Sequence, residues 1–217
     1  MLSKQQDNAL ERMLAERIVA VVRLADPNRG VDVARALVKG GVTLIEIAFT
    51  TPDAVNVIES VQKAVPEAMV GAGTVITEAD VAALQRVRPA FAVAPVLDAN
   101  VVRAAQQAGI LFSPGAYTPT EVLAAWRLGA PIVKVFPAAR LGPKYLADLK
   151  APMPFLRLMP TGGVDDTTIG EFLRCGADGV GAGGAPPALG CVVGGGPPGR
   201  GRRGVAGRYQ GDRARRI

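Results

Sequence analysis

The stretch Thr43-Leu44-Ile45-Glu46-Ile47-Ala48, followed by an amphipathic segment over residues 52–64 and then by Met69-Val70-Gly71-Ala72-Gly73, decides the fold. Each apolar run is short and continuous, where a strand with one wet face would alternate with polar residues. A run of that kind belongs in a parallel sheet covered on its outer face, and the helical pattern between the runs is the crossover that parallel pairing needs. Working outward, the same unit recurs at intervals of roughly 20–25 residues, as a chain of βα units requires. Apolar runs fall at residues 18–23, 43–48, 69–73, 91–94, 110–113, 131–136, 156–160 and 178–181. Helical patterns fall at residues 31–39, 52–64, 78–87, 99–108, 119–128 and 167–175. Eight strands of this type predict an α/β protein of the (β/α)8 TIM-barrel class. The rival, an open doubly wound sheet, would carry Gly-x-Gly-x-x-Gly after its first strand, where this chain has Arg23-Leu24-Ala25-Asp26-Pro27.

Punctuation agrees with this division. Thr51-Pro52 and Thr118-Pro119 each read as a capping hydroxyl with proline at the first helical position. Gly109, Gly129 and Gly176 stand just past helical stretches, where a left-handed residue closes the last turn. After Gly184 the pattern stops. Residues 185–217 hold nine glycines and four prolines with no apolar period, which predicts a disordered tail in place of the eighth helix. Their composition resembles GC-rich coding sequence read out of frame. The expected domains are a barrel over residues 1–184 and this tail over 185–217.

Composition narrows the function. The chain has 217 residues, 49% of them hydrophobic, which suits one domain with a sizeable core. The first residues are too polar for a secretory signal and no apolar run approaches the ~20 residues of a membrane span, so a cytoplasmic protein with no membrane partner is expected. There is no histidine, and Cys175 and Cys191 lack metal-ligand spacing, so neither a metal nor another cofactor is expected. The net charge of +6 resides entirely in residues 185–217, where seven arginines face Asp212 alone. The remaining body is neutral, which argues against a nucleic-acid partner.

Two charged residues interrupt the apolar runs. Lys134 stands inside Pro131-Ile132-Val133-Lys134-Val135-Phe136-Pro137. A lysine there is paired or loses its proton more easily than usual, and a neutral amine is what attack on a ketone requires. The bland alternative is a stem lying along the core with its ammonium on a carboxylate. Glu46 is equally isolated, four strands earlier. Beside an amine, a carboxylate can move protons through carbinolamine formation, dehydration and loss of a C3 proton; the alternative is a buried structural ion pair. Glycine-rich strand ends at Gly71-Ala72-Gly73-Thr74, Ser113-Pro114-Gly115, Pro160-Thr161-Gly162-Gly163 and Gly181-Ala182-Gly183-Gly184 form the expected mouth. Those after strands seven and eight are where barrels hold phosphate on backbone N–H groups. Arg23 offers a cation for a carboxylate or phosphate, or else is a surface arginine at a strand end.

Taken together, Leu44-Ile45-Glu46-Ile47-Ala48-Phe49-Thr50-Thr51-Pro52, Gly71-Ala72-Gly73-Thr74-Val75, Phe112-Ser113-Pro114-Gly115, Thr118-Pro119-Thr120-Glu121, Val133-Lys134-Val135-Phe136-Pro137-Ala138 and Pro160-Thr161-Gly162-Gly163-Val164 resemble the successive motifs of the 2-keto-3-deoxy-6-phosphogluconate (KDPG) and 4-hydroxy-2-oxoglutarate aldolases. The resemblance spans roughly residues 10–184. It implies Lys134 as the Schiff-base lysine and Glu46 as the general acid/base. It also implies Thr74 near the pyruvyl carboxylate, Thr161 and Pro95 lining the substrate pocket, Gly162, Gly163, Gly183 and Gly184 in the phosphate cradle, and Arg23 at the end of the first strand. A small 2-keto acid phosphate as partner, cleavage of KDPG to pyruvate and glyceraldehyde 3-phosphate in the Entner–Doudoroff route, and a homotrimer follow from the same likeness. Thr50 stands where many members have an arginine on the carboxylate, and Gly184 where a phosphate-loop serine is common. The altered C-terminus departs furthest. Open alternatives are a 4-hydroxy-2-oxoglutarate aldolase, a galactonate-type enzyme, an epimerase or isomerase on a phosphate-binding barrel, and a barrel impaired by its C-terminus.

Overall fold

The computed structural model describes residues 2–183. Helix α1 (Lys4–Glu16) precedes β1 (Ile18–Val22), and α2 (Gly30–Lys39), β2 (Leu44–Ala48), α3 (Ala54–Ala64), β3 (Met69–Gly73), α4 (Glu78–Leu84), β4 (Phe91–Val93), α5 (Ala99–Gln107) and β5 (Leu111–Ser113) follow. The chain continues through β6 (Gly115–Ala116), α6 (Pro119–Arg127), β7 (Val133–Val135), α7 (Lys144–Lys150), β8 (Leu158–Pro160), α8 (Ile169–Arg174) and β9 (Val180–Ala182). All strand pairings are parallel. Six strands run in the order β5-β4-β3-β2-β1-β9 and three in the order β6-β7-β8. Only Pro114 separates β5 from β6: proline has no N–H for the ladder, yet its carbonyl accepts from Lys134 N–H at 2.9 Å. On the far side a single bridge joins Thr161 to Gly181. The result is an α/β fold with a curled parallel sheet.

Period-2 alternation sorts the strand residues onto two faces. Ile18, Ala20, Val22, Ile45, Ile47, Val70, Ala72, Ala92 and Phe112 pack outward with helix residues such as Leu37, Ile58, Val61, Val102 and Leu146. Val19, Leu44, Met69, Phe91, Val93, Leu111, Ile132 and Met159 form a separate inner cluster, joined by Ala9, Leu10 and Met13 of α1. Helix α1 therefore plugs the end of the sheet where the strands begin. It is held by a capping box between Ser3 and Gln6, and by Arg12, whose Nη2 donates to Thr43 Oγ1 at 2.9 Å and to the Glu67 carbonyl at 2.7 Å.

Several readings of the punctuation hold and others need correction. Thr118 caps α6 in a box with Glu121, with Pro119 at the start of the helix. Gly109, Gly129 and Gly176 adopt φ of +70°, +87° and +100°. The Thr51-Pro52 cap does not form: α3 starts at Ala54 behind Asp53, which is left-handed at φ +54° and makes no side-chain cap. The Thr51 hydroxyl instead accepts from Leu24 N–H at 3.1 Å, so a tertiary bond between the first two strand ends has claimed it. Helices α1 and α7 lie in segments where no helix was expected. The expected tail at residues 185–217, the missing eighth helix and the site position Gly184 lie outside the described residues. Among the described residues no helix is long and apolar enough to cross a membrane.

Candidate active site

Glu46 sits on β2 between two outward-facing isoleucines and is 1% exposed. Its register neighbours are Val21 on β1 and Gly71 on β3. The carboxylate turns toward the strand ends and lies against Gly73: a Cβ there would fall 2.0 Å from Glu46 Oε1. Glycine at this position is thus a space requirement. One step below, a Cβ on Gly71 would meet the Phe91 ring at 2.3 Å, so that ring fills the floor beneath the carboxylate.

Lys134 sits on β7, paired with Gly115 and Met159, and is 3% exposed. Its Nζ stands 5.1 Å from the Phe136 ring centroid, a cation–π distance. No ion pair within 4.0 Å joins it to Glu46, and among the described residues neither Glu46 oxygen has a hydrogen-bond partner. Burial drives the electrostatics. It pushes the Lys134 amine below its usual 10.5, with Glu46 opposing that shift and Arg23 adding to it. It pushes the Glu46 carboxyl above its usual 4.5, opposed by Lys134 and then Arg23. Both groups are therefore drawn toward their neutral forms, as expected where desolvation outweighs a charge pair that is not in contact. An uncharged amine is a nucleophile, and a carboxyl that keeps its proton is an acid.

The remaining expected residues collect at the same end of the sheet, where strands pass into loops. Arg23 follows β1, is exposed, and acts on both Glu46 and Lys134 through its charge. Thr74 follows β3 with φ +61°, a conformation that a β-branched residue adopts only when its surroundings hold it there. Thr161 follows β8, is buried, and occupies space left by Gly181, where a Cβ would fall 2.4 Å from its Oγ1. Gly162 and Gly163 turn at φ +86° and +74°. Gly183 follows β9 and passes so close to Val21 that a Cβ would lie 2.5 Å from its carbonyl oxygen. Pro95 is half-buried after β4, with its backbone against Gly115. Thr50 follows β2 and is exposed, apart from the buried pair. Sequence reasoning missed the space that Gly73 leaves for Glu46, the ring of Phe136 beneath Lys134 Nζ and the buried hydroxyl of Ser113. Glycine and serine at strand ends read as turn residues, and Phe136 reads as one more apolar strand residue.

Comparison with known proteins agrees with this arrangement. The family model described as KDPG and KHG aldolase matches residues 10–186. A Rhizobium meliloti (strain 1021) protein described as a probable 2-dehydro-3-deoxy-6-phosphogalactonate aldolase is 36% identical over 168 residues, 76% of this chain and 79% of its own. The KHG/KDPG aldolase of Escherichia coli (strain K12) is 34% identical over 157 residues, 72% of this chain and 74% of its own. Among solved structures, the KDPG aldolase of Legionella pneumophila, with pyruvate captured as a covalent carbinolamine intermediate, superposes at a TM-score of 0.76 with 26% identity, covering 82% of this chain and 88% of that one. This chain belongs to the KDPG and KHG aldolase family.

Proposed function

We propose that the chain is a class I aldolase that cleaves KDPG to pyruvate and glyceraldehyde 3-phosphate through a Schiff base on Lys134. The observation that carries this reading is the buried pair itself. Lys134 has its proton affinity lowered and Glu46 has its raised, with no ion pair within 4.0 Å between them and, among the described residues, no hydrogen-bond partner on the carboxylate. The neutral Lys134 amine attacks the C2 carbonyl, and Glu46 delivers its proton to the carbinolamine oxygen, which leaves as water. With the iminium as electron sink, the Glu46 carboxylate left by that step takes the C4 hydroxyl proton and the C3–C4 bond breaks. Glyceraldehyde 3-phosphate departs, leaving an enamine. A proton returned to C3 through Glu46 and hydrolysis of the imine then release pyruvate and the free amine.

Thr74 would lie near the pyruvyl carboxylate, with Thr161, Pro95 and Thr50 lining the substrate pocket. Gly162, Gly163 and Gly183, with Arg23, would receive the phosphate on backbone N–H groups and one cation. The reading extends to a closed (β/α)8 barrel, supported by the Thr161–Gly181 bridge on one side and by the continuity of β5 and β6 through Pro114 on the other. It includes a homotrimer in the cytoplasm, on the strength of the family resemblance. A second reading, cleavage of the phosphogalactonate epimer, is favoured by the 36% identical Rhizobium meliloti relative.

Borohydride reduction with pyruvate tests the core of the proposal. The wild type should gain one reduced pyruvyl group, mapped to Lys134, and Lys134→Met should show neither adduct nor turnover. Label on Lys39, Lys63, Lys144 or Lys150 would overturn it. Turnover of the two C4 epimers then separates the two readings.

A further inference from the structure

Among the described residues, the buried side-chain atoms without a hydrogen-bond partner are the two oxygens of Glu46 and the hydroxyl oxygen of Ser113. Glu46 has a part in the reaction proposed above; Ser113 has none yet. It is 3% exposed, at the end of β5. Leu111 belongs to the inner cluster and Phe112 to the outer one, so alternation turns Ser113 inward. On one side it pairs with Val93, itself in the inner cluster. On the other, the pairing of Gly115 with Lys134 puts position 113 beside Ile132 and diagonally below Lys134. Its inward neighbours by strand register therefore include Leu111, Val93, Ile132 and Lys134. Of these four side chains, only that of Lys134 can donate a strong hydrogen bond.

We propose that Ser113 is a positioning residue for the nucleophile: its hydroxyl oxygen accepts a hydrogen bond from the Lys134 amine and aims the nitrogen lone pair up toward the incoming carbonyl carbon. The inference rests on the Schiff-base reading of Lys134. The two groups are not bonded in this structure, where Nζ stands over the Phe136 ring. Hydrogen bonds of this kind are often open in the free enzyme and close with substrate. A lysine stem has enough freedom to swing between the ring and the hydroxyl. Burying a hydroxyl with no partner destabilises the free protein, so a serine here is better explained by what it does once substrate arrives than by packing.

The test measures the rate of borohydride-trappable pyruvate adduct formation, together with melting temperature, in the wild type, Ser113→Ala and Ser113→Cys. Cysteine preserves most of the volume and is a poor acceptor. The expected result is adduct formation at saturating pyruvate slowed about five- to tenfold in both variants, the worth of one hydrogen bond made on the way to the transition state. Half-saturation by pyruvate should stay within about twofold of wild type, since ground-state binding is untouched, and the melting temperature should be equal or higher. Wild-type rates in both variants would overturn the role of Ser113 while leaving Lys134 as the nucleophile. Slower adduct formation together with a lower melting temperature would mark Ser113 as structural and also overturn it. If the wild type itself forms no adduct on Lys134, the Schiff-base reading fails and this inference fails with it.

Discussion

The two ends of the inner face use the same strands for opposite purposes. At the lower end Val19, Leu44, Met69, Leu111, Ile132 and Met159 meet Leu10 and Met13 of α1, and every one of these side chains is apolar and buried. One step higher the same strands present Val21, Glu46, Gly71, Ser113, Lys134 and Thr161. Phe91 divides the two levels by filling the space beneath Gly71. The lower level is packed with branched and sulfur-containing side chains. The upper level keeps glycines on β3 and β9, and the room they leave is taken by Glu46 and Thr161. A closed floor and an adjustable chamber thus differ by one step along the strand and by where the glycines fall. The floor keeps water out from below, which is what makes the burial of Glu46 and Lys134 electrostatically effective.

Removing the acid should break the upper level most severely. Glu46→Gln keeps the shape and removes the proton shuttle, so turnover should fall about 10²–10⁴-fold, while slow pyruvate adduct formation on Lys134 persists. Near-normal turnover in steady-state assays would make Glu46 a structural residue. Crowding the chamber should cost less. Gly73→Ala places a methyl 2.0 Å from where Glu46 Oε1 now lies, so the carboxylate must move. A displacement of that size is expected to lower turnover by about 10²-fold. The pyruvate-trapped lysine should still form, because the change falls on the acid and not on the amine. Turnover equal to wild type would show that the carboxylate has another productive position.

The lower level should answer in stability alone. Met13→Ala removes a 3% exposed side chain from the plug. It should cost about 2–4 kcal/mol and lower the melting temperature by roughly 5–15 °C. Turnover per folded molecule at a permissive temperature should stay the same. A matching loss of turnover would mean that the floor and the chamber are coupled, contrary to the separation drawn above.

What could be read in advance follows the same division. Continuous apolar runs reveal strands covered on both faces, so every strand but the two-residue β6 (Gly115–Ala116) was legible, and a lone charge within such a run is rare enough to expose Glu46 and Lys134. Helix α1 was illegible because its buried face is narrow: Ala9, Leu10 and Met13 among charged and amide residues. Helix α7 is seven residues long and buries Leu146 and Leu149. Thr51 was misread because capping is a local pattern, while its hydroxyl is engaged by Leu24 from another strand end. Gly73 and Ser113 owe their significance to neighbours on adjacent strands, and register of that kind is not written in either segment alone.

The smallest expected effect lies in the pH dependence of stability, and it separates burial from ion pairing at the upper level. Burial raises the Glu46 carboxyl above 4.5 in the folded protein. Between 4.5 and that raised value the folded state holds the proton while the unfolded chain has released it, so stability falls as pH rises through the window. Lys134 acts in the opposite sense. Its folded value lies below 10.5, and between the two the unfolded chain binds the extra proton, so stability rises again toward 10.5. Neutral pH should therefore carry a stability penalty from both groups. Melting temperatures across the pH range for the wild type, Glu46→Gln and Lys134→Met isolate each part. Relative to Glu46→Gln, the wild type should lose stability from pH 4.5 upward and then level off. Relative to Lys134→Met, it should recover on the alkaline side. A wild type that instead gains on Glu46→Gln as pH rises above 4.5 would show that attraction between carboxylate and ammonium outweighs their desolvation. The pair would then be an ion pair in the resting protein, and the neutral amine that the proposed reaction needs would have to be produced by substrate binding.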